Sequence, residues 1–511
     1  MSKTDEQLKV GPFERLFDLM INPARSDRGM ALLLAGYAVL WTLYAVVAKS
    51  SQDIHFDMGE MVAWSRELVL GTPKHPPLGA WLVRAWFSVF PREDWAFYLF
   101  AVLYPTVALW IAWRVAGRYL SADKRLVGIA LLTFVPFYNF HALKFNANTV
   151  LVPIWAATTW WFLRSLETHR AGSAIMAGIG AAAAMLGKYW SVVLIAGLGL
   201  AALTDIRRTA YFRSPAPWLT IAAGAILIAP HVAWIASYGF APIDYALGVH
   251  AATRVAAAVH TMAFFAGILG YIAAPVVLSV AGARPSMAAI SDTVWPAEPD
   301  RRTICIAFAA PILAAAIGAI LIKIKVDALW MMSAMTLLPI VLLASPLVTL
   351  PRHIAIRLLA LAIIYPAVML AASPVIAVVI HLEGVPNYGA YYRLIAQAVE
   401  HAWSKRTIEP LRVIGSSPIV NGIAFYFKIQ PSTLDITHPA WTPWVDEDRI
   451  RREGVAIVCP AQETDCVTAM TGYAARYSNA EIGNIDLARR YFGVLNTPVH
   501  LQILIVPPLA Q

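Results

Sequence analysis

FDMGEMVAWSRELVLGTPKHPPLGAW, residues 56–81, follows the first long apolar run of the chain, Gly29 to Ala48. It gathers Asp57, Glu60, Lys74, His75 and the Pro76-Pro77 pair directly after a segment that carries no charge. Wound as a helix over 57–70, it puts Asp57, Glu60, Met61, Trp64 and Leu68 on one face, because residues at i, i+3, i+4 and i+7 align. Gly71-Thr72-Pro73 is expected to end that helix. A second amphipathic helix is expected from the prolines to about Phe90. Two such helices suit the surface of a membrane, so the stretch reads as a charged loop on the rim of an apolar bundle.

The rest of the chain supports that reading. Of 511 residues, 59% are hydrophobic and 14% charged, and the mean hydropathy is +0.61. Repeated apolar runs of spanning length indicate a polytopic α-helical membrane protein. About eleven transmembrane helices are expected, near 29–48, 95–115, 122–138, 148–165, 171–187, 189–204, 216–236, 259–281, 303–322, 328–347 and 354–380. The run 29–48 lacks a small-residue cleavage site behind it and reads as a retained helix. The net charge of +9 is that of loops rather than of a clustered basic face, which argues against nucleic-acid binding.

Lysine and arginine concentrate in alternate connections, among them Arg25, Arg114, Arg118, Arg207, Arg208, Arg301 and Arg352. The positive-inside rule then places the N-terminus in the cytoplasm and the loop 49–94 outside. The expected organisation is a cytoplasmic segment 1–28, a transmembrane catalytic unit 29–381 and an extracytoplasmic α/β domain 382–511. In the last part, 411–415, 454–459 and 499–506 read as buried strands, with helices near 419–427, 464–475 and 485–493. That part shows neither a G-x-G-x-x-G loop nor a nucleophile motif. Cys305, Cys459 and Cys466 lack zinc spacing. A strand end and the following helix bring Cys459 and Cys466 within reach of each other, and the sequence leaves open whether they join.

Burying the carboxylates of Asp57 and Glu60 on an apolar face is costly unless they are paired or have a task. The structural alternative is a capping box, with Asp57 as N-cap and Glu60 three residues on. Lys74-His75-Pro76-Pro77 reads either as a rigid phosphate-holding element or as a helix start with a lysine reaching lipid headgroups. Further cations recur at the same rim: Lys144 in KFNANT, Lys188 beside Tyr189, and Lys323 and Lys325. Asn146 and Asn148 could hydrogen-bond a sugar or cap the next helix. His231 reads as a packed histidine. Together these groups suit an anionic lipid headgroup and a base. No metal is required, although Asp57 with Glu60 could bind a divalent cation weakly.

An acidic residue opening an interfacial helix, followed by HPPL, resembles the polyprenyl-phosphate-dependent glycosyltransferases of the GT-C superfamily. Among these, bacterial family 39 is most similar, with protein O-mannosyltransferase and aminoarabinose transferase relatives. The resemblance covers roughly residues 29–350 and rests on FDMGEMVAWSRE, KHPPLGAWLVR, KFNANTVLVPIW and MLGKYW. It implies that Asp57 is the catalytic aspartate and that His75, Pro76 and Pro77 lie near the phosphate. Met58 stands where relatives often have glutamate, and Glu60 where aminoarabinose transferases commonly have arginine.

The implied activity is inverting transfer of a sugar from a polyprenyl-phosphate donor to an envelope lipid, glycan or protein at the outer face of the inner membrane. Asp57, with Glu60, would serve catalysis. Lys74, His75, Lys144, Asn146, Lys188, Tyr189, Lys323 and Lys325 would hold the donor. A transporter or lipid flippase with an accessory outer domain is the alternative. It expects charges at mid-membrane, whereas here they gather at the rim. An assembly scaffold would leave the carboxylate-bearing loop unexplained.

Overall fold

A computed structural model describes residues 11–508. Residues 1–10 of the expected segment 1–28, and residues 509–511 of the C-terminal segment, lie outside the described residues. The protein is an apolar helical bundle carrying a small C-terminal sheet domain on one side. Each expected apolar segment overlaps a helix. Among the described residues, six helices are long and apolar enough to cross a membrane, or seven if one bent pair counts as a span. The six are Ser26–Ala48, Asp94–Ala116, Ala216–Ser237, Arg254–Ala283, Pro299–Ile322 and Arg352–Glu383. The chain is an integral membrane protein.

Some spans depart from the straight helices expected. The segment 122–138 breaks after Leu132, and its continuation Pro136–Lys144 turns away by 80°. Pro136 lacks an amide hydrogen and forces the residue before it out of the helical region. The side chain of Asn139 donates to the freed carbonyl of Thr133 at 2.9 Å. The segment 328–347 is a 3-10 helix, Ala328–Leu337, followed by a short α-helix, Leu338–Leu343. Both breaks lie on one side of the bundle core, which is filled by Trp41, Trp113, Trp155 and Phe145.

The C-terminal domain holds a five-stranded mixed sheet. Its strands are β1 Val413–Ser416, β2 Ser432–Asp435, β3 Val455–Pro460, β4 Glu481–Leu487 and β5 Val499–Val506. They lie in the order β2-β1-β3-β5-β4. Strands β1, β2 and β3 run parallel, and β5 is antiparallel to both β3 and β4. Alternate residues go to opposite faces. Ile414, Ala456, Val458 and Ile503 pack against Tyr392, Ile395 and Val399 of the helix Tyr392–Ser404. Val413, Ile457 and Leu504 pack against Ile450, Cys466 and Met470 on the other side. A sheet covered on both faces reads as unbroken apolar runs, which is why β1, β3 and β5 were legible.

One expectation for this domain is corrected. The region 485–493 is not a helix: it forms the end of β4 and one arm of a two-stranded ribbon, Arg490–Tyr491 with Val494–Leu495. Strand β4 is a half-exposed edge whose identity comes from pairing with β5, and that pairing is not a local property of the sequence. Strand β2, with sequence STLD, is short and polar and was not anticipated. Cys459 and Cys466 form a disulfide, with Cα atoms 5.6 Å apart.

The loop after the first span packs under this domain. The loop helix Phe56–Glu67 meets the turn Val420–Ala424 so closely that a Cβ on Gly59 would lie 2.7 Å from the backbone of Gly422. Polar clamps surround this contact. Asp53 pairs with Arg489 at 2.9 Å, Asp94 with Arg393 at 3.1 Å, and Arg66 Nε donates to Gln430 O at 2.8 Å. The loop and the sheet domain therefore share one side of the bundle.

Gly59→Ala is expected to cost about 1–3 kcal/mol, because neither backbone at this contact can yield. Gly36→Ala, with nothing within 4 Å, is expected to leave the unfolding temperature unchanged or slightly raised. Thermal unfolding of both purified variants checks the pair.

Candidate active site

The site lies where the loop helix, the N-terminus of the helix Ala147–Thr168 and the turn at Lys188 converge. The loop helix begins one residue earlier than expected, and its N-cap is His55, whose Nδ1 accepts from the amide of Asp57 at 3.1 Å. The capping-box reading of Asp57 is corrected accordingly: Asp57 sits inside the first turn, where a carboxylate is favoured by the helix dipole. The helix stops at Leu68, which adopts a left-handed conformation at φ 48°, three residues before the expected Gly71. A second helix follows over Leu78–Phe87.

Asp57 keeps 35% of its side chain exposed. Its Oδ2 accepts from Asn146 Nδ2 at 2.8 Å, while Oδ1 has no hydrogen-bond partner among the described residues. Asn146 does both things the sequence allowed: its Oδ1 also caps the helix by accepting from the amides of Asn148 and Thr149. Asn148 in turn accepts from Lys188 Nζ at 2.7 Å. Burial pulls Lys188 down to about 8 against the opposing pull of Asp57 and Asp327. Its ammonium also lies 4.9 Å from the centre of the Trp330 ring. One helix N-terminus thus fixes the carboxylate and the cation through two asparagines two residues apart.

Lys144 is exposed, near His55 at the start of the loop helix. It joins Lys49 there, whose pKa falls through burial and through the charge of Lys144. The same two lysines, after burial, hold His55 low despite neighbouring Asp57.

Glu60 and Lys74 form their own unit. Lys74 Nζ sits 2.7 Å from Glu60 Oε1, and Glu60 is only 8% exposed. Burial raises the Glu60 pKa although Lys74 opposes it. For Lys74, burial pulls down but the contact with Glu60 prevails and its pKa is raised. Lys74 also lies 4.6 Å from the Trp441 ring centre and 5.7 Å from that of Tyr245. Glu60, Lys74, Asn421, Asp435 and Trp441 line a cavity of about 20 Å³, room for one water. Lys74 is therefore an engaged cation rather than the free one expected.

His75 is corrected as a cation. Burial, then Lys188, Lys74 and His250, push it down to about 3. It stays neutral near neutral pH, with its ring edge-on to Trp64 at 5.7 Å.

Tyr189 is tied through His231 to the loop at Leu70. Its hydroxyl meets His231 Nε2 at 3.0 Å, and His231 Nδ1 meets Leu70 O at 2.7 Å. His231 is thus the packed histidine the sequence suggested, and it pins the loop. Lys323 and Lys325 are exposed. Their backbones pair with the 250–252 segment, where Lys325 N donates to His250 O at 2.8 Å. The structure brings Asp57, Glu60, Lys74, His75, Asn146 and Lys188 together and leaves Lys323 and Lys325 at the margin. Asp435, Trp441 and Tyr245 were missed because they reach the loop from distant parts of the chain.

Comparison with known proteins agrees with this architecture. Residues 74–234 match the family described as dolichyl-phosphate-mannose-protein mannosyltransferase. The lipopolysaccharide core galacturonosyltransferase RgtB of Rhizobium johnstonii is 29% identical over 209 residues, 40% of this chain and 41% of RgtB. The chain thus aligns with about two fifths of that relative. ArnT from Cupriavidus metallidurans bound to undecaprenyl phosphate superposes with a TM-score of 0.63 at 13% identity, over 93% of this chain and 98% of that one. Its apo form gives 0.59 at 13% identity, over 92% and 98%. The likeness to GT-C enzymes read from the sequence is borne out.

Removing one partner of the Glu60–Lys74 pair strands a buried charge. Lys74→Met alone is expected to destabilise the protein by about 3–5 kcal/mol, and the double variant with Glu60→Gln by much less. Thermal unfolding of the two single variants and the double variant checks this. Purely additive losses would show that the two groups are not coupled.

Proposed function

We propose that the chain is an integral-membrane glycosyltransferase. It moves a sugar from a polyprenyl-phosphate donor to an envelope lipid, glycan or protein at the outer face of the inner membrane. The observation that carries this reading is the half-buried Asp57, with Oδ2 held by Asn146, Oδ1 without a hydrogen-bond partner among the described residues, and Lys188 held at the same helix N-terminus.

The acceptor hydroxyl gives its proton to Asp57 Oδ1 as its oxygen attacks the anomeric carbon. The bond from that carbon to the phosphate oxygen breaks on the opposite face, and one displacement inverts the configuration. The donor carries one negative charge on its phosphodiester. The departing polyprenyl phosphate carries two, because its ester oxygen keeps the bonding pair. Lys188, and Lys144 with Lys49 near His55, oppose that growing charge with groups already in place. Glu60, occupied by Lys74, orients the loop rather than the reacting atoms. RgtB's name specifies galacturonosyl transfer to lipopolysaccharide core, and we propose a comparable sugar–lipid acceptor chemistry here.

Topology follows the same reading. Lysine and arginine favour a cytoplasmic N-terminus. The Cys459–Cys466 disulfide suits an oxidising compartment for the sheet domain, and the loop that carries Asp57 shares its side.

Asp57→Asn preserves size but cannot take the proton. Transfer in membranes, assayed with a panel of polyprenyl-phosphate sugars, is expected to fall about a hundredfold or more, within the range for a lost general base. Unfolding temperature should change little. Near wild-type transfer would remove Asp57 from the chemistry.

The kcat/KM profile should carry an alkaline limb. Lys188 is charged below its pKa of about 8 and loses its proton as pH rises through that value. Above it, kcat/KM should drop about tenfold per pH unit, because it reports the free enzyme. Lys188→Arg should move the limb out of range, since arginine stays protonated.

Alkylation in denaturant of the protein taken unreduced from membranes should mark Cys305 alone, and all three cysteines only after reduction. Three reactive thiols before reduction would place the sheet domain in a reducing compartment.

A further inference from the structure

The ribbon Arg490–Leu495 has no part in the site. Its strands pair Arg490 with Leu495 and Tyr491 with Val494, so Phe492-Gly493 forms a two-residue turn. Both turn residues have positive φ, 44° at Phe492 and 85° at Gly493. Such turns select asparagine or aspartate before glycine, because a bulky side chain is strained there. This ribbon instead places a phenylalanine at the tip and leaves it 82% exposed, beside Val494 at 49% and Leu495 at 54%. Sterics and solvent both disfavour that choice in water.

The position of the ribbon removes the contradiction. Tyr491 meets Ser50 hydroxyl to hydroxyl at 2.7 Å, two residues past the end of the span Ser26–Ala48. His381, in the last turn of the span Arg352–Glu383, meets Val494 O through Nε2 at 3.0 Å. The stem is locked by Arg489, which contacts Asp53, Ala390 O and Ser50 O, and by reciprocal bonds between Arg489 and Asn496. The ends of two spans thus hold the ribbon at the level where the bundle leaves the bilayer. Arg490, exposed on its flank, is placed for lipid phosphates.

We propose that this ribbon is a membrane anchor, with Phe492, Val494 and Leu495 seated among the acyl chains just beneath the headgroups. Apolar tips with a flanking cation suit that boundary. The anchor ties the sheet domain to the bilayer directly, beside the Asp53–Arg489 pair that fastens the same domain to the loop. It rests on the membrane-spanning helices and not on the catalytic reading.

The test uses the full chain in nanodiscs of phosphatidylethanolamine and phosphatidylglycerol. Phe492→Cys is made on a Cys305→Ser background with the disulfide left intact, then spin-labelled. Arg451→Cys, at an exposed position of the sheet domain, is the reference. At 492, collisions with oxygen are expected to exceed those with a water-soluble nickel chelate several-fold, and at 451 the order should reverse. A 492 label as open to nickel as the 451 label overturns the proposal. So does one shielded from both reagents, since a protein partner would then cover the patch.

Discussion

Two glycines without room for a methyl group between them set the position of the loop helix. Where Gly59 meets Gly422, backbone packs on backbone, and no side chain can flex to absorb an error. The helix carries Asp57 two residues earlier and Glu60 one residue later, so this contact sets their height above the bundle. The ion pairs around it, Asp53 with Arg489 and Asp94 with Arg393, add direction to a contact that alone would permit rotation. The two carboxylates are thus located by a distant domain as much as by their own helix.

The two buried lysines of the site are held in different ways. Lys188 is held by an amide rather than a carboxylate, so no direct ion pair offsets its burial, which outweighs the more distant pull of Asp57 and Asp327 and lowers its pKa. Lys74 is the opposite case, matched to Glu60 and closed over by Trp441. One lysine is available to an incoming anion, and the other braces the loop. In the sequence both are outer-rim lysines, and nothing local separates them.

That limit describes what the sequence could tell. The apolar runs announced the bundle, because lipid and core both demand them, and β1, β3 and β5 announced themselves because both faces of the sheet are covered. Asp57 stood out because a carboxylate on an apolar face is costly. Strand β2 and the edge β4 did not, since their pairing comes from neighbours far along the chain. The partners of Lys74 were hidden for the same reason: Glu60 is 14 residues away, and Trp441 comes from a different domain. His75 looked like a cation by residue type, whereas its surroundings, which no motif encodes, keep it neutral.

The order in which the chain is made gives the docking contact another meaning. The loop that bears Asp57 is synthesised early, directly after the first span, while its counterpart, Asn421 to Gln430 and then Arg489, emerges near the end. Until then Asp53 and Asp94 lack their arginines and Gly59 faces open space. Late contacts between distant segments are the slow steps of folding. A partly synthesised chain therefore carries the loop helix and Asp57 with nothing to set their height. Synthesis through Arg489, rather than insertion of the first spans, completes the contacts that position the loop.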